Sequence, residues 1–145
     1  MSDLHIDDFF RDAAKILVLL YSQFPRATTL YVEDISGPDE PDEFGLHSPR
    51  HESCFQTVLW LGSTGYLSHG ALVRQEGTDR TVLTHEAFLL LNSASGNHKI
   101  DDGEPPFPDG ELTIHRLRDE LKQGSSDTLA SFMRETMRNF RPEKR

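Results

Sequence analysis

The chain has 145 residues, enough for one domain with its own core and too few for two full ones. Its formal charge is −9, with eleven acids against four bases over residues 1–60, which works against an electrostatic grip on nucleic acid. A lone cysteine excludes an internal disulfide and the longest apolar run, residues 16–21, is too short for a bilayer span. The acidic start is unlike a secretory signal, so the expected location is the cytoplasm.

Residues 8–24 read as a helix. Phe10, Ala13, Ala14, Leu17, Leu20, Tyr21 and Phe24 follow the spacing that places one apolar stripe on one face, with Asp7 or Asp8 as cap and Pro25 as stop. Residues 28–32 are β-branched and read as a strand. The acidic, proline-rich stretch at 33–49 reads as a loop with one helical turn around residues 40–44. A second helix is expected over 50–64, with Phe55, Val58 and Leu59 inward and Gly65 as a left-handed cap. Residues 66–74 and 80–83 read as two strands of a hairpin whose turn, 75–79, contains Gly77. Thr84 caps a further helix with Phe88 and Leu91 facing inward.

Residues 95–110 read as a linker between a domain at 1–94 and a C-terminal helical extension at 111–145. In that extension Leu117 and Leu121 mark a short helix ended by Gly124. Ser125 or Ser126 then caps a strongly amphipathic one. Its stripe of Leu129, Phe132, Met133, Met137 and Phe140 offers a surface to a protein partner or a second copy of the chain, or packs on its own domain.

His47, His51 and Cys54 have a spacing that on one continuous helix would suit zinc. Pro49 interrupts that helix and Cys54 reads as a small buried hydrophobe, so no metal is expected. No phosphate loop, nucleophile elbow or cysteine–histidine dyad is present in the sequence, and no enzyme activity or cofactor is expected.

The segments LWLGSTGYL (residues 59–67) and VLTHEAFLLL (residues 82–91) carry a resemblance to the winged-helix family over residues 8–92. In that family a recognition helix ends in glycine before a β-hairpin wing, and the returning strand runs into a Leu-Thr-x-x-Gly helix start, where this chain has Ala87. The resemblance implies an α+β, mostly helical fold. It also implies that Arg50, His51, Gln56 and Thr57 on the helix and Arg74 and Arg80 on the wing are the residues that would face DNA. The acidic charge favours a non-catalytic module that binds a protein. A dimeric DNA-binding regulator is the alternative.

Overall fold

The computed structural model describes residues 4–94 and 112–142. Its first element, α1 (Leu4–Gln23), is the helix around which the others gather: α2, α3, α5, α6 and β4 all pack on it. Of the apolar stripe read from the sequence, Phe10, Ala13, Ala14, Leu17 and Leu20 are in the core and Tyr21 and Phe24 are partly buried. Ile16, outside that stripe, is in the core as well. The helix begins four residues before the expected start. Asp7 and Asp8 lie inside it, where carboxylates meet the positive end of the helix dipole, and Ile6 and Phe9 pack against the core.

β1 (Thr28–Tyr31) follows, one residue shorter than the sequence suggests, because Val32 turns into α2 (Glu33–Ser36). This single helical turn corrects the one expected at residues 40–44. Ile35 is buried there, whereas residues 40–46 are exposed and offer the core nothing to hold a helix in place. Lys15 Nζ donates to the Ile35 carbonyl at 3.3 Å, fastening α2 to α1.

α3 (Pro49–Ser63) has a well-defined start. Ser48 is its cap, accepting from the His51 N–H at 3.2 Å, and Pro49 sits at the first position, where no N–H is needed. Gly65 ends it with φ of 93°, as expected of a left-handed cap.

The β-region is a small antiparallel sheet built on β4 (Gly77–Leu83), in the order β1-β4-β2, with β2 (Leu67–Ser68) and β3 (Leu72–Val73) both pairing with β4. The hairpin turn lies at residues 74–76 and not at 75–79. Gly77 belongs to the strand, where a Cβ would come within 2.1 Å of the Leu30 carbonyl oxygen; close approach of β1 demands this glycine. Arg74 and Arg80 take the left-handed conformation, with φ of 49° and 47°. Arg80 sits at the extra residue of a bulge in β4, between the pairs Leu30–Thr78 and Thr28–Thr81.

α4 (His85–Leu91) starts on the Thr84 cap, whose hydroxyl accepts from the Ala87 N–H at 3.1 Å. α5 (Thr113–Gln123) and α6 (Ser126–Arg138) close the fold, with Ser125 as the cap of α6. The linker expected at 95–110 lies outside the described residues. Ile114, Leu117, Leu129, Phe132 and Met133 share one apolar cluster with α1, so the C-terminal helices are part of the same core. Among the described residues no helix is long and apolar enough to cross a membrane.

Truncating a side chain in this shared core removes its transfer energy and leaves a cavity. Met133→Ala is therefore expected to cost about 2–5 kcal/mol, measured by urea unfolding. Far-ultraviolet dichroism and Trp60 fluorescence should report one common transition. Separate transitions would mean that α5 and α6 fold apart from the rest.

Candidate functional site: the groove between α1 and α3

One charge in the core organises this region. Asp12 stands four residues before Ile16, on the buried side of α1, and is only 1% exposed. Arg50, in the first turn of α3, meets it with both terminal nitrogens, at 2.6 and 2.5 Å, and its Nε lies 3.7 Å from Asp8. A two-pronged guanidinium–carboxylate pair restricts the angle as well as the distance between its partners. The N-terminal end of α3 is thereby set against the second and third turns of α1.

Beside the pair, the two helices and the loop before α3 border a groove of about 1030 Å³. Ile6 and Phe9 line it from α1, Leu59 and Trp60 from α3, and Leu46 from the preceding loop. Trp60 is 43% exposed and Leu46 56%, unusual for such large apolar groups. The Trp60 ring meets Phe9 edge-on with centroids 5.2 Å apart and is backed by Tyr66, which stacks on Phe140 at 3.9 Å. Glu52 also lines the groove, and its described lining includes no lysine or arginine.

A histidine cluster sits at the start of α3. His47 has a side chain only 4% exposed, with Nδ1 at 2.8 Å from Asp39 Oδ2 and Nε2 at 2.6 Å from Glu76 Oε1. Each ring nitrogen faces a carboxylate, and satisfying both requires the doubly protonated imidazolium. These two hydrogen bonds, Glu76 first and Asp39 second, raise the His47 pKa above its usual 6.5. The Ser48 hydroxyl and N–H, together with His47, hold the Asp39 carboxyl down to about 2. His51 stacks on His47, with centroids 3.7 Å apart and planes 10° from parallel. Its Nε2 is 2.8 Å from the Gln75 carbonyl, which can only accept, so Nε2 carries the proton. Its Nδ1 is buried with no hydrogen-bond partner.

The residues expected to face DNA are divided by this arrangement. Gln56, Arg74 and Arg80 are exposed. Arg50 is held by Asp12, and His51 and Thr57 are buried, because the face of α3 that carries them packs on α1 and the hairpin. The C-terminal stripe is covered by its own chain: Leu129, Phe132, Met133 and Phe140 are buried and Met137 partly so, on the side of α6 that faces α1 and α5. Cys54 is also in the core, where burial pushes its thiol up to about 12.

Of the three residues with zinc-like spacing, the structure brings together His47 and His51 and supplies Asp39 in place of Cys54. One ligand atom from each of Asp39, His47 and His51 lies within 4.8 Å of the others. The sequence carries a local sign of Asp12, a carboxylate inside an apolar stripe. It carries none for Asp39 or Glu76, which reach His47 from 8 and 29 residues away. No protein-family model, no curated protein and no solved structure matches this chain.

Removing Arg50 leaves the Asp12 carboxylate buried without its partner. Arg50→Ala is expected to cost about 3–5 kcal/mol and Asp12→Ala/Arg50→Met much less, measured by denaturant unfolding. The folded His47 binds its proton more tightly than the unfolded chain does. Its contribution to stability is therefore complete below pH 6.5 and is lost as pH rises through the raised folded value. With a chelator present, stability should fall across that window, and Glu76→Gln should flatten the fall.

Proposed function

We propose that this chain is a winged-helix module that acts by binding a protein, and that the partner lays a helix with an apolar face and basic flanks into the groove between α1 and α3. The observation that carries this reading is the groove itself, an apolar trough beside an exposed Trp60 with Glu52 in its lining. A large aromatic in a pocket is the usual anchor of such an interface, and the −9 charge of the chain draws basic partners toward it. The winged-helix assignment is supported by the element order, in which α1, β1, α2 and α3 precede the strands β2, β3 and β4 and the Thr84-capped α4.

DNA binding is the second reading, and one observation favours it. Arg74 and Arg80 are exposed on the hairpin, and no ion pair involves them among the described residues. Against it, α3 presents Glu52, Ser53 and Gln56 to solvent and retains no free arginine.

Trp60, the sole tryptophan, reports on both readings. A synthetic helical peptide with leucines on one face and lysines at its flanks should blue-shift the Trp60 emission. Trp60→Ala should weaken that binding by about 2 kcal/mol or more, followed by calorimetry, and Glu52→Lys should weaken it at low salt. A peptide that binds equally well to the Trp60→Ala variant would overturn the groove assignment. Binding to random-sequence duplex DNA that weakens steeply with salt and is lost in Arg74→Ala/Arg80→Ala would establish the second reading in its place.

A further inference from the structure

We propose that Asp39, His47 and His51 form a binding site for a divalent transition metal of the zinc class, built between the loop before α3, the first turn of α3 and the hairpin turn. His47 also lines the edge of the groove, but the proposal does not rest on what the groove binds.

The hydrogen bonds of the two imidazoles point to it. His47 Nε2 is held by the Glu76 carboxylate and His51 Nε2 by the Gln75 carbonyl, two adjacent residues of one turn. A metal-binding histidine characteristically donates its far N–H to a carboxylate or a carbonyl, which sets its tautomer and aims the near nitrogen. With both Nε2 atoms occupied in this way, Nδ1 is the end of each ring that a metal would take, bonded to Asp39 in His47 and without a partner in His51. His51 Nδ1 has no partner although the residue is 2% exposed, an arrangement that leaves a lone pair without compensation. His47 Nδ1 faces Asp39 Oδ2, which brings an oxygen ligand to the same side.

Two imidazoles and one carboxylate suit zinc, whose bonds to nitrogen and oxygen are about 2.0–2.2 Å long. Tetrahedral ligands at that length stand roughly 3.3 Å apart; one ligand atom from each of the three residues now lies within 4.8 Å of the others, so the donors must draw closer on binding. The metal must lie in the plane of each ring, so the near-parallel rings tilt on binding, drawing together at their Nδ1 edges and parting at their Nε2 edges. On binding, His47 gives its Nδ1 proton to solvent and Asp39 exchanges that hydrogen bond for a bond to the metal. The Asp39 and Glu76 carboxylates then balance the two positive charges of the ion. Three protein ligands leave a fourth position for water. His47 also borders a cleft with Pro41, Gly45, Leu46, Arg74, Gln75 and Glu76, on the side of its Nε2.

The test is calorimetric titration of the untagged, chelator-treated full chain with zinc, alongside visible absorption of the cobalt form. We expect one ion per chain and cobalt bands that zinc displaces. His51→Ala should abolish both with the dichroism unchanged, Glu76→Gln should weaken binding about 10–100-fold, and Cys54→Ala should leave it intact. No stoichiometric binding by the native chain, undiminished binding by His47→Ala/His51→Ala, or loss of binding in Cys54→Ala would each overturn the proposal. Should the histidine variants fail to fold, imidazole ¹⁵N spectra of the native chain decide. Zinc shifting Nδ1 of His47 and His51 while Nε2 stays protonated supports the site, and a response confined to other histidines overturns it.

Discussion

A carboxylate buried in the side of α1 constrains much of this molecule. A carboxylate at 1% exposure is costly to bury without a cation against it, and Arg50 is the group that meets Asp12. Because Arg50 lies in the first turn of α3, the pair sets where α3 begins and how it crosses α1. The groove runs beside this contact, lined by Asp12 and Pro49 near the pair and by Phe9 and Trp60 further along.

The same placement of α3 brings His51 under the hairpin turn. Ser48 caps the helix and also donates its N–H to Asp39 at 3.0 Å, so the loop and the helix start are held by one residue. His47 then bridges Asp39 and Glu76, tying the loop to the hairpin. Helix start, loop and hairpin are thereby joined through polar contacts. Buried networks of this kind specify geometry strongly when every member is satisfied. His51 Nδ1 is the member that is not, and for that reason the cluster reads as more than a structural clasp.

The C-terminal helices illustrate how an amphipathic stripe finds its cover. A face carrying Leu129, Phe132 and Met133 must be hidden from water, and sequence alone leaves open whether this chain or another hides it. α6 lies on α1 and α5, and cation–π contacts reinforce the docking: Arg134 sits 5.0 Å above the Phe10 ring and Arg116 5.1 Å above Phe132. Leu46 and Trp60 are among the large apolar side chains left exposed, and they border the groove.

Local chemistry determined much of this architecture. The stripe of α1, the caps at Thr84 and Ser125 and the left-handed Gly65 are all readable because each depends on residues within a few positions of one another. The α2 turn was misplaced because Ile35, alone in that acidic stretch, has a buried site waiting for it across α1. Gly77 read as a turn residue because its reason is the Leu30 carbonyl, 47 residues away on a neighbouring strand. The ligand-like trio was legible as two histidines, four residues apart. Its third member, Asp39, and the anchors Gln75 and Glu76 came from loops whose positions no local pattern encodes. Tertiary structure alone decided which charges are paired, which stripe is covered and where polar groups converge, because each depends on long-range contacts between segments that are silent about one another in sequence.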